Sequence, residues 1–111
     1  MDNKLKGEVK IKIDGEDKTL SLTNNVLISV EDILDRPIHR ITSRENIGLR
    51  EIRAFLYAGL KWEAGTTIED VGEKMEFSKI KYYAEKLGKA MKYAIPEADR
   101  EKIKKEAEGK N

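Results

Sequence analysis

The chain has 111 residues, with charged and hydrophobic residues each at 39%, a formal net charge of +1 and no cysteine. That is the size of one domain with a modest core. The near-zero charge argues against a general polyanion binder. The lack of thiols excludes a disulfide scaffold, a cysteine zinc finger and a thiol nucleophile, and fits a reducing cytoplasm.

MDNKLKGE carries no apolar segment of the kind that opens a signal peptide. No apolar run approaches the ~20 residues needed to span a bilayer. Leu5, Val9, Ile11 and Ile13 alternate with Lys6, Glu8, Lys10 and Lys12, the period of a half-buried strand. Asp14-Gly15 is a hairpin turn signal, and Lys18–Leu22 returns as a second strand. Asp14–Asp17 has some flavour of a calcium loop but lacks its spacing and is read as the turn. A two-stranded hairpin is marginal alone, so it must pack on helices or gain strands from a partner.

Thr23, Asn24 and Asn25 supply an N-cap for a helix running to about Asp35, with Val26, Leu27, Val30, Ile33 and Leu34 as its buried stripe. Arg36-Pro37 ends it. Over Ile38–Gly48, Ile38 and Ile41 are candidates to dock on the core and Asn46-Ile47-Gly48 reads as a loop. Leu49–Trp62 is the strongest helical pattern, with Ile52, Phe55, Leu56, Gly59 and Leu60 on one face. Thr67–Asp70 resembles a capping box, opening a short helix to about Glu76 that buries Ile68, Val71 and Met75. Ser78 is the expected cap of a last core helix, Lys79–Ile95, with Ile80, Tyr83, Ala84, Leu87, Met91, Ala94 and Ile95 as its stripe. Pro96 closes it. Glu97–Asn111, whose one clear apolar anchor is Ile103, reads as a charged, partly helical tail. The expected architecture is α+β: a two-stranded N-terminal hairpin packed on four to five short helices, with a single domain over 1–96 and the tail over 97–111.

No residue set looks catalytic, and no cofactor or metal site is expected. His39, the only histidine, reads as a loop residue beside Arg40. Glu31-Asp32 and Glu69-Asp70 are read as acidic residues in the first turns of helices, where they favour the macrodipole. The glycines form neither a GxGxxG nor a P-loop pattern, and Gly59 and Gly72 are read as points of close helix packing.

Two candidate surfaces remain. Lys79, Lys86, Lys89 and Lys92 form a basic face interleaved with Tyr82 and Tyr93, a pattern used on nucleic acids. The plainer reading is a solvated face whose lysine stems cover the helix rim. Segment Ala54–Phe77 carries five acids against two lysines, the opposite bias, which leaves a homo-oligomer open. Trp62 and Phe77 each end a helix, as core lids or, if exposed, as interface anchors. Phe55, Leu56 and Trp62 are the candidate partner-binding residues.

The order of these elements resembles a family of small tail proteins of tailed phages and gene-transfer agents, comprising tail assembly chaperones and tail tube proteins. KLKGEVKIKIDGEDKTLSLTNNVL is similar to the family's opening hairpin and helix start, VEDILDRPI to its acidic first helix, LREIRAFLYAGLKWE to its most recognisable block, and TTIEDVGEKME to the capped helix that follows. The likeness covers roughly Lys4–Pro96. It departs at Asp35-Arg36-Pro37, which lacks the glycine often found there, and over Ile38–Gly48. The resemblance implies a non-enzymatic chaperone, acting in the cytoplasm of a bacterial host, that coats the tape-measure protein before the tube polymerises. The family has no catalytic residues to transfer. A structural tube subunit and, further off, a nucleic-acid-binding regulator using the lysine face are the alternatives. Nucleic acid is not the expected partner, and no membrane association is expected.

Overall fold

The structure, a computed structural model, describes residues 2–3, 6–42 and 47–94. The expectations for Leu5, Asn46, Ile95, Pro96 and the 97–111 tail lie outside these residues.

Strands β1 (Glu8–Ile13) and β2 (Glu16–Ser21) pair antiparallel, with Val9 opposite Leu20 and Ile13 opposite Glu16. The turn is only two residues long. Asp14 and Gly15 both have positive φ, 52° and 75°, the backbone of a type I′ turn whose twist matches the strands. Glu16 and Asp17 therefore belong to β2, not to the turn. Alternation puts Val9, Ile11, Ile13, Leu20 and Leu22 on the buried face.

The outer edge of β1 is closed by the protein itself. The Glu8 N–H donates to the Asn3 carbonyl, the Lys10 N–H to Asp2 Oδ1 at 2.6 Å and the Lys12 N–H to the Tyr82 hydroxyl at 2.9 Å. With its outward donors occupied, this edge cannot template another strand. Asp2 also pairs with Lys89, so the N-terminal arm ties the hairpin to the last helix. These bonds, first the one from the Lys10 N–H, hold the Asp2 carboxyl below its usual range and raise Lys89.

Among the described residues five α-helices follow: α1 (Asn24–Leu34), α2 (Ile38–Thr42), α3 (Leu49–Gly59), α4 (Ile68–Lys74) and α5 (Ile80–Ala94). The Thr23 hydroxyl accepts from the Val26 N–H, as the cap pattern predicts. Asp35 closes α1 in the left-handed region, its N–H donating to the Glu31 carbonyl. Val30 is fully buried, but Ile33 of the expected stripe is exposed, and so is Ile28.

Glu31 stands in the second half of α1, not in its first turn. Its carboxylate accepts from the Ile38 N–H at 2.6 Å and so caps α2. The segment Ile38–Thr42 is a helix rather than a loop; it contains half-buried His39 and sinks Ile41 into the core.

Helix α3 is the centre of the fold and packs on α1, α4, α5 and β2. Ile52, Ala54, Phe55 and Leu56 are fully buried. It ends at Gly59, three residues earlier than its apolar spacing suggests. Leu60 is already extended, yet remains buried, and Trp62 turns back so that its indole N–H donates to the Leu56 carbonyl at 3.1 Å. The same carbonyl also accepts from the Leu60 N–H at 3.2 Å, so the indole adds a second bond at the helix end. Gly59 permits the close approach of α3 to the hairpin: a Cβ there would stand 2.7 Å from Leu20 Cδ1.

Sequence patterning does not single out Glu51, in the first turn of α3. It is only 6% exposed and pairs with Arg36 at 2.6 Å, joining the end of α1 to the start of α3. In α4 the capping box is complete. The Asp70 N–H donates to the Thr67 hydroxyl and the Thr67 N–H to the Asp70 carboxylate, which lowers the Asp70 pKa. Asp here does the work of the usual Glu or Gln. Lys74, at the end of α4, reaches Asp14 in the hairpin turn at 3.0 Å, and its pKa is raised by that bond.

Ser78 does not cap α5. It lies in a 3₁₀ turn, Phe77–Lys79, that feeds into the helix. The face of α5 toward the core carries Tyr83, Leu87, Ala90 and Met91. Among the described residues no helix is long and apolar enough to cross a membrane.

Candidate functional site

The first turns of α3 put Leu49, Arg50 and Arg53 along one side, because residues three and four apart share a helix face. In α4 the same spacing aligns Glu69, Gly72 and Glu73. The two faces stand opposite each other across an open groove of about 600 Å³. Met75, Phe77 and Ile80, from the end of α4 through the 3₁₀ turn into α5, close one end. The lining mixes apolar side chains with arginines from α3 and glutamates from α4.

Phe77 is the distinctive group. It is 83% exposed, and Leu49, which also lines the groove, is 50% exposed. Helices ordinarily turn such residues inward. Here the 3₁₀ turn rotates Phe77 out of the stripe of α5, leaving Tyr83 to fill the core and to accept from the Glu76 N–H through its hydroxyl.

Arg53 is held in place by Gly72. Its stem crosses α4 where a Cβ at Gly72 would come within 3.1 Å of its Cδ. Its Nε is buried without a hydrogen-bond acceptor.

The three residues first singled out for partner binding do not line this groove. Phe55 and Leu56 are 0% exposed and present no surface to a partner; their apolar spacing records core packing. Trp62 is half-buried beneath Lys18, whose ammonium lies 4.5 Å from the ring centroid and donates to the Lys61 carbonyl at 2.9 Å. Trp62 is a lid on the hairpin.

The lysine face of α5 is partly committed within the molecule. Lys89 pairs with Asp2 and Lys79 with Glu76 at 3.2 Å, while the Lys86 ammonium lies 5.6 Å from the Tyr82 ring centroid. Lys92 is exposed. Tyr82 and Tyr93, expected beside these lysines as stacking groups, are half-buried against the core. Tyr82 packs edge-on to Tyr83 and holds β1 through its hydroxyl.

Sequence reading missed the groove because Arg50, Arg53, Glu69 and Glu73 look like any solvated charges until α3 and α4 are brought together. The usable signal was Phe77, a large aromatic outside the periodic stripe of α5. Among the described residues no group of three or more histidine, aspartate or glutamate side chains could hold a metal ion. The chain matches no protein-family model, no curated protein and no solved structure.

Proposed function

We propose that this chain is a non-enzymatic protein-binding module, a tail assembly chaperone that holds a segment of the tape-measure protein in the cytoplasm of the bacterial host. The observation that carries the binding reading is the groove between α3 and α4, with Phe77 83% exposed at its end. A solvent-facing phenylalanine beside an apolar cleft adds nothing to the fold and is the kind of group that anchors interfaces. The identity of the client rests on the resemblance of the hairpin, the α3 block and the capped α4 to the phage tail family. The closed β1 edge favours side-chain docking in the groove over strand addition at that edge.

The test is co-expression with the tape-measure protein encoded in the same genome, scoring the client's solubility and its capture. Capture that is lost in Phe77→Ser supports the reading. A folded chain that neither captures nor solubilises the client overturns it.

A further inference from the structure

We propose that the groove receives an amphipathic helix of a partner protein that carries carboxylates on one flank of its apolar stripe and basic groups on the other. This rests on the protein-binding reading above and adds the chemistry of the bound segment.

The argument starts from charges left unpaired. Arg50 and Arg53 on the α3 wall face Glu69 and Glu73 on the α4 wall, and all four line the groove. Among the described residues none of the four makes an ion pair, either across the groove or elsewhere. The chain does pair charges over long sequence separations in other places, as Asp14–Lys74 and Asp2–Lys89 show. The four charges line the groove without pairing with one another, so an occupant between the helices would meet both signs.

Arg53 sharpens the requirement. Its stem lies against Gly72, and its guanidinium makes no ion pair among the described residues. A carboxylate is the acceptor that fits the guanidinium groups of Arg50 and Arg53 on the groove, since it accepts from two N–H groups at once. The α3 wall therefore asks for an acid.

The occupant's shape follows from where the groups lie. It must place an apolar row on Leu49, Met75 and Phe77 while sending charged side chains to both walls. A helix does this with residues three and four apart. A strand fits less well, because only every second side chain faces the groove.

The experiment uses two synthetic helical peptides sharing one leucine stripe. The first carries Glu on one flank and Lys on the other; the second carries Gln on both. Binding of each to the full chain is read by fluorescence anisotropy at low salt and at about 1 M salt, where the Debye length is about 3 Å. At low salt the charged peptide is expected to bind about tenfold more tightly, the scale of one charge-assisted hydrogen bond. Salt should remove most of that advantage. Arg53→Gln should abolish it with an unchanged circular dichroism spectrum, whereas Lys92→Gln should not.

Equal affinity for the two peptides would overturn the charged-wall proposal, and client capture dependent on Phe77 would still stand. Binding of neither peptide would also overturn it. A concentration-dependent dimer in sedimentation that Phe77→Ser dissolves would make a second copy the occupant, and would likewise overturn it.

Discussion

Replacing Gly59 with alanine tests whether α3 is seated on the hairpin as tightly as its geometry states. The added Cβ would stand 2.7 Å from Leu20 Cδ1 and 3.3 Å from Leu22 Cδ2. The first distance is shorter than carbon atoms tolerate, and Leu20 is fully buried, so something in the core must shift. Overpacking of this kind costs about 1–3 kcal/mol. The intrinsic gain from Gly to Ala offsets at most about 1 kcal/mol, and less at the last residue of a helix. A net loss of about 1–2 kcal/mol is expected. Gly88 is the internal control: it is exposed in the middle of α5, and a Cβ there would meet nothing within 4 Å. Gly88→Ala should therefore gain about 0.5–1 kcal/mol. Urea unfolding followed by circular dichroism separates the two. With a slope of about 1.5 kcal/mol/M, Gly59→Ala should lower the midpoint by about 1 M and Gly88→Ala raise it by about 0.5 M. If Gly59→Ala matches or exceeds the wild-type midpoint, Leu20 and Leu22 repack freely and the close approach of α3 is not a packing constraint.

Leu56→Ala should cost about 2–5 kcal/mol, because a fully buried leucine leaves a cavity, whereas Phe77→Ser should change stability by no more than about 0.5 kcal/mol. Comparable losses in both would place Phe77 in the core and remove the exposed anchor. A double-mutant cycle over Arg36→Met and Glu51→Gln should return a coupling of about 1–2 kcal/mol, between the values for exposed and buried pairs, since Glu51 is buried and Arg36 partly exposed. Coupling near zero would mean that the pair does not join α1 to α3. The pH dependence has a definite sign. Asp2 and Asp70 are lowered from 3.8, so their stabilisation is complete above that value and is lost as pH falls through and below it. Lys74 and Lys89 are raised from 10.5, so theirs is present below that value and is lost as pH climbs above it. Thermal melts should be flat in between, and Asp70→Asn should shrink the acid-side fall; an acid limb unchanged by Asp70→Asn would contradict the cap's role.

Features governed by neighbouring residues were readable from the sequence. Asp14-Gly15, Thr23, Pro37 and the Thr67–Asp70 box act through local backbone chemistry, and the alternation of β1 reports which face is buried. The misreadings occur where a distant partner decides. Glu31 caps a helix that begins seven residues later, a contact that no local pattern announces. Tyr82 looks like an exposed aromatic among lysines until its hydroxyl is seen on Lys12, seventy residues away in the chain. The end of α3 was missed because Leu60 and Trp62 continue the helical spacing of apolar residues, although an extended segment buries Leu60 just as well. The groove was legible only in its one aromatic, Phe77.

The allocation of charge separates frame from site. The long-range ion pairs each fasten an element that would otherwise be marginal: Asp2–Lys89 holds the N-terminal arm, Asp14–Lys74 the hairpin turn, and Arg36–Glu51 the end of α1. A two-stranded sheet has little stability of its own, and two of these contacts lock it to helices. Arg50, Arg53, Glu69 and Glu73 have no such task, and Phe77 faces water beside them. In the proposed recognition of another chain, these charges would select a partner while the apolar side chains beside them supply the affinity.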